Sequence, residues 1–210
     1  MSGAREEILA RIRAALADVP AGHEVVIPRG YRRTGTRDRE QTVALFLERA
    51  GDYRAAVTRC APGQVSAAVA DACRRHDVAI LAAPADVAWA PEKIKLVAAD
   101  GMTPAELDGV GGVLTGCALA IAETGTIVLD AGPRQGRRAL TLVPDLHICV
   151  VESEQIVETV PEAVARLAPI GRERRRPLTL ISGPSATSDI ELTRVEGVHG
   201  PRRLEILITG

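Results

Sequence analysis

Thr115-Gly116-Cys117-Ala118-Leu119-Ala120-Ile121-Ala122-Glu123-Thr124-Gly125-Thr126-Ile127-Val128-Leu129-Asp130 is the stretch whose reading decides the fold. An apolar run carries one carboxylate, breaks at a glycine flanked by threonines and resumes as a second apolar run, a pattern that predicts two strands around a turn. Ile127-Val128-Leu129 shows no polar alternation, which suits a strand buried on both faces of a sheet in an α/β protein. This reading puts Glu123 at a buried strand end. An ionised carboxylate there has to be hydrogen-bonded, paired or kept for chemistry, and the residues leave both a satisfied structural Glu and a functional one open.

Toward the N-terminus, Ile8, Leu9, Ile12 and Leu16 at helical spacing predict an amphipathic helix over 2–17 that ends before Pro20. Residues 21–39 are Arg-rich and punctuated by Gly22, Pro28, Gly30 and Gly35, the composition of a long irregular connection. The expected organisation is therefore an N-terminal helix and irregular arm over 1–37, followed by an α/β domain over 38–210. Within that domain a helix from Asp38 to Ala50 is closed by Gly51, and strands and helices then alternate in βαβ rhythm. Strands are expected near Arg54, Val78, Ile94, Ile127, Ile148, Leu178 and Leu204, all in one main sheet. A short helix starts at the cap Thr103, a helical turn or strand lies near Ala139, and a helix over 153–167 is expected to be interrupted at Pro161.

Composition narrows the function classes. The chain has 210 residues, 46% apolar and 25% charged, enough for one large core, and its net charge of −1 offers no electrostatic footprint for nucleic acid or an anionic membrane. Phe46, Tyr31, Tyr53 and Trp89 are the whole aromatic complement, too few for a base-stacking platform. Cys60, Cys73, Cys117 and Cys149 are scattered without metal-ligand spacing, so buried free thiols and no metal are expected. Acidic residues interrupt the N-terminus before any secretory apolar region, and no run reaches transmembrane length, which makes a cytoplasmic location the expectation.

A second small-residue loop follows the strand at Leu178: Ser182-Gly183-Pro184-Ser185-Ala186-Thr187-Ser188-Asp189-Ile190-Glu191. Ser188 and Glu191 fit a capping box. The alternative reading is a cradle in which the amides and hydroxyls of Gly183, Ser185 and Thr187 hold a small anion, a carboxylate or a phosphate. Asp189 is a helix-start residue or a ligand contact on these two readings. Thr115, Gly116, Thr124, Gly125 and Thr126 are likewise turn residues or ligand contacts. If the Glu123 turn and the Gly183 loop meet at the carboxyl ends of adjacent strands, they share one pocket, with Glu123 as its reactive carboxylate. Tyr31 and Arg32 would then cover the opening, the Arg gripping a substrate carboxylate. Asp130 reads as a turn residue and His199 as structural.

Thr115 to Thr126, Gly183 to Glu191, Arg194-Val195-Glu196-Gly197-Val198-His199-Gly200-Pro201 and Pro28-Arg29-Gly30-Tyr31-Arg32 together resemble the LUD-domain family of lactate-utilisation proteins. The resemblance implies a part in oxidising L-lactate to pyruvate beside partner proteins that carry iron–sulfur clusters, with no cofactor in this chain. It also implies a three-layer sandwich with a largely parallel sheet, the fold group of CoA transferases, ribose-5-phosphate isomerase and glucosamine-6-phosphate deaminase. In CoA transferases a Glu beside a Gly turn is the nucleophile, and Glu123-Thr124-Gly125 looks like that motif. Two further readings follow: a free-standing acyl-transfer or isomerase-type enzyme using Glu123, and a non-catalytic ligand-binding module.

Overall fold

The structure, a computed structural model, describes residues 2–20, 22, 24–174, 176–187, 195–197 and 199–210. The chain divides into compact units of residues 1–31 and 32–210. The first holds α1 (Ser2–Ala15), whose Ile8 and Ile12 are exposed, as is Leu16 in the turn that follows. Residues 32–37 group with the larger unit, rather than with the arm the sequence suggested, because the buried Glu158 carboxylate binds them. It accepts from the Thr36 and Arg37 amides, each at 2.7 Å, and from the Arg32 and Arg37 guanidiniums, each at 2.8 Å.

The larger unit is built on six parallel strands: β1 (Ala56–Cys60), β2 (Ile80–Ala83), β3 (Lys95–Ala98), β4 (Gly112–Thr115), β7 (Leu146–Glu152) and β12 (Arg203–Thr209), in the order β1-β12-β7-β4-β2-β3. A second sheet of four, in the order β8-β5-β6-β9, joins β5 (Leu119–Ile121), β6 (Thr126–Leu129), β8 (Ile156–Val157) and β9 (Thr179–Ile181). A two-stranded ribbon pairs β10 (Ala186–Thr187) with β11 (Val195–Glu196). The hairpin read in the opening stretch is present, with Leu119 opposite Val128 and Ile121 opposite Thr126.

The expectation of a single sheet is corrected. The strands at Ile127 and Leu178 lie in the second sheet, since Gly125, at φ +57, reverses the chain so tightly that β6 must run antiparallel to β5. The place left in the main sheet goes to β4, which is not among the expected strands. Gly112 belongs there because a Cβ would sit 2.9 Å from the Leu146 carbonyl oxygen of the neighbouring strand.

Strand β7 shows how the layers form. Leu146, Ile148 and Val150 face α3 (Val65–Arg75), while Cys149 and Val151 face α2 (Arg39–Asp52) and the inner side of the second sheet. The outer side of that sheet, through Leu119, Ile121 and Val128, packs on Ala163 and Leu167 of α5 (Val160–Arg174). The short α4 (Pro104–Asp108) buries Leu107 against Ala82 and Val113. Asp38 caps α2 as expected, with Gln41 completing the capping box, but the helix continues through Gly51 to Asp52. Pro161 does not interrupt α5. It lies in the first turn, where no intrahelical N–H is needed, and Thr159 and Glu162 exchange the bonds of a capping box at 3.3 and 2.8 Å.

Candidate functional site

A cavity of about 250 Å³ opens beside the Gly183 turn, lined by that turn, the 3₁₀ turn Arg138–Thr141 and the segment from His199 to Pro201. It sits at the amino ends of β7 and β12, where His147 and Leu204 pair, and not at the carboxyl ends where parallel sheets usually hold ligands. The reason is topological: the Gly183 turn follows β9, a strand of the second sheet. Gly183 adopts φ +78, and any Cβ there would fall on the Tyr53 carbonyl oxygen, so the close approach of the turn to the end of α2 requires glycine.

Arg138 supplies the charge. Its Nη1 donates to Thr179 Oγ1 at 2.6 Å, which aims the guanidinium along the cavity wall. Ser182, Ser185 and His199 add polar groups, and Leu142, Leu180 and Leu204 add apolar wall. The Ser185 amide does not serve an anion as expected, because it donates to the Pro201 carbonyl at 2.8 Å, and the Ser185 hydroxyl accepts from the His199 amide at 3.1 Å. Thr187 takes part through its backbone, in register with Val195. Asp189 and the Ser188–Glu191 capping box lie outside the described residues.

A hydroxyl chain joins this cavity to the hairpin turn. Thr126 Oγ1 lies 2.7 Å from Thr124 Oγ1, 2.7 Å from Ser182 Oγ and 3.3 Å from the Thr124 carbonyl oxygen. The two small-residue turns are thus neighbours, yet among the described residues they line different depressions rather than one pocket. Glu123 lines a separate depression with Arg32, Arg37, Gln41 and Arg49. The Gly125 turn is pressed against Arg49 and Ala50 at the end of α2, and this contact sends Glu123 to the side of residues 32–37, where Arg32 bonds it. Glu123 is also half-buried rather than enclosed, with its side chain 32% exposed.

Arg32 is therefore engaged by two carboxylates, Glu123 and Glu158, instead of standing open for a substrate. The Arg37 amide, with Arg32, Thr36 and the Arg37 side chain, holds the Glu158 carboxyl down to about 2. Tyr31 closes the N-terminal unit with its ring exposed. Thr115 is fully buried, its hydroxyl 2.7 Å from His147 Nε2, and Gly116 lies against Arg134 and Trp89 with its amide donating to the Arg134 carbonyl. These two support the core rather than meeting the cavity. Asp130 is more than a turn residue: it is buried, accepts from the Gly132 amide at 3.0 Å and pairs with Arg176 at 2.7 Å.

Beneath the cavity His147 leads into the thiols of Cys149 and Cys117. The Cys149 thiol is held below the usual range by the Cys117 thiol and then by His147 and Thr115. Arg138, Thr179, Ser182 and His147 were missed as cavity residues. A lone His in an apolar strand and an Arg in an Arg-rich turn carry no spacing signal, and only the packing of two sheets brings them together. Among the described residues no three His, Cys, Asp or Glu side chains group as metal ligands, and no helix is long and apolar enough to cross a membrane.

Fold and cavity place the protein in the three-layer α/β class, with a largely parallel sheet and a small polar pocket at a glycine turn. The LUD domain matches residues 55–209, and the chain belongs to that family. It is 44% identical over 208 residues to a lactate utilization protein C of Deinococcus radiodurans, an alignment covering 99% of this chain and 96% of the relative. A lactate utilization protein C of Bacillus pumilus is 41% identical over 91 residues, 42% of this chain and 38% of that one. The crystal structure of a DUF162 family protein from Deinococcus radiodurans superposes with a TM-score of 0.73 at 40% identity, covering 83% of this chain and 100% of that one.

Proposed function

We propose that this protein is the small-carboxylate-binding component of an L-lactate utilisation system, acting beside iron–sulfur proteins that carry the electrons. The observation that carries the reading is the cavity of about 250 Å³ in which the Arg138 guanidinium is set among hydroxyls and leucines. A guanidinium fork matches a carboxylate, and an apolar wall suits a methyl group, which together describe L-lactate. The names borne by its relatives support the pathway. Oxidising L-lactate to pyruvate removes two electrons and two protons. In this reading the chain holds and orients the acid, and the electrons leave through the partner proteins. A Glu123 nucleophile gains less support, because Glu123 is bonded to Arg32 outside the cavity.

Titration of the purified protein with L-lactate, followed by NMR or calorimetry, tests the binding half. Saturable binding is expected, weakened at least about 10-fold in Arg138→Gln, the loss of a charge-assisted hydrogen bond. The pathway half is tested by deleting the gene and by isolating the tagged protein from cells grown on L-lactate. Growth on L-lactate should fail, and iron–sulfur proteins should co-purify. Unimpaired growth would overturn the pathway assignment, and absence of Arg138-dependent binding would overturn the site.

A further inference from the structure

Resting on the carboxylate-site reading, the hydroxyl chain points to a preference within it: we propose that Ser182 makes the cavity selective for 2-hydroxy acids over 2-oxo acids. Thr126 Oγ1 has three polar neighbours: the Thr124 hydroxyl, the Ser182 hydroxyl and the Thr124 carbonyl oxygen. A hydroxyl has one proton and two lone pairs, and a peptide carbonyl only accepts. All three contacts are made at once in one arrangement of protons: Thr126 donates to the Thr124 carbonyl, and its two lone pairs receive the protons of Thr124 and Ser182. This arrangement saturates Thr126, a buried residue that must be satisfied from within the protein.

The consequence falls on Ser182, which is exposed and lines the cavity. Its proton is committed to Thr126, so it offers the ligand lone pairs only. The 2-hydroxyl of L-lactate donates to such a group. The 2-oxo oxygen of pyruvate brings lone pairs against lone pairs. Pyruvate gains a bond from Ser182 only if the chain reverses, and reversal takes the Thr126 proton from the Thr124 carbonyl. With the carboxylate on Arg138 in both cases, the site favours the reduced acid and releases the oxidised one. Ser182 is then a specificity-determining residue, and Thr126 a positioning residue that acts through it.

The test is calorimetric titration of L-lactate, pyruvate and acetate into the wild-type protein, Arg138→Gln, Ser182→Ala and Thr126→Val, each variant first compared with wild type by thermal melting. Wild type should bind L-lactate about 10-fold more tightly than pyruvate, the worth of about one hydrogen bond. Ser182→Ala should erase that preference by weakening L-lactate while leaving acetate unchanged. Thr126→Val releases the Ser182 proton and should strengthen pyruvate. If Thr126→Val does not fold, Ser182→Ala decides alone. Equal, Arg138-dependent affinities for L-lactate and pyruvate in wild type would refute the selectivity and leave the carboxylate site standing. Arg138-independent or absent binding of all three acids would remove the site and the selectivity with it.

Discussion

Glu158 and Glu123 follow the paired strands β8 and β5, the Glu123 amide donating to the Glu158 carbonyl at 3.1 Å, and do different things with their charge. Glu158 is 4% exposed and accepts four bonds from residues 36 and 37 and the Arg32 and Arg37 guanidiniums. Its folded carboxyl sits at about 2 against an ordinary 4.5, so the stability it contributes is fully present above pH 4.5 and is lost as pH falls from there toward 2. Thermal melts between pH 6 and 2 should show that loss, and Glu158→Gln should remove that part of the pH dependence. At neutral pH the variant should be about 1–3 kcal/mol less stable, the lower half being favoured because the guanidiniums are partly solvated. Glu123→Gln, by contrast, gives up a half-exposed pair with Arg32. It should cost less than about 1 kcal/mol and leave L-lactate binding unchanged. Growth on L-lactate at the wild-type rate is expected for it, and loss of growth with binding intact would return Glu123 to the chemistry. The sequence singled out Glu123 as the one carboxylate in an apolar stretch. It was silent on Glu158, whose partners are more than 100 positions away.

At the level of elements, two glycine turns meet the end of α2. Gly125 has φ +57 with a would-be Cβ 2.5 Å from the Ala50 nitrogen, and Gly183 has φ +78 with its Cβ position on Tyr53. Backbone cannot retreat as a flexible side chain can, so Gly125→Ala and Gly183→Ala should each destabilise the protein by more than about 1 kcal/mol, read in urea titrations. Only Gly183→Ala should also weaken L-lactate binding, since its turn lines the cavity. The capping box at α5 is a milder device, and Thr159→Ala should cost about 1 kcal/mol. Threonine followed three residues later by glutamate is the local signature of that cap, while Pro161 between them is equally the signature of a helix break. The same proline is favourable in a first turn and disruptive further in, and locating the first turn required knowing where β8 ends.

For the molecule as a whole, the layer between the sheets decides cooperativity. Phe46, fully buried on α2, belongs to one core with Ile127 of the second sheet and Cys149 and Ile206 of the main sheet. Phe46→Ala should therefore cost about 3–5 kcal/mol, with near-UV and far-UV signals still lost in one transition. Separate transitions for the two probes would show that the sheets fold independently. The amino-acid sequence by itself determined the α/β class, the hairpin at Gly125, the helix start at Asp38 and the turn that follows the strand at Leu178. Each of these depends on residues close together in the chain, where apolar periodicity, glycine conformation and side-chain caps act locally. Which strands pair was decided only by the tertiary structure: Ile127 and Leu178 went to a second sheet, and Gly112 to Thr115 entered the first. The same holds for the cavity, whose Arg138, Ser182 and His147 come from a 3₁₀ turn, a loop and a central strand. Such partners are chosen by long-range packing of apolar faces, and no short-range pattern encodes which face meets which.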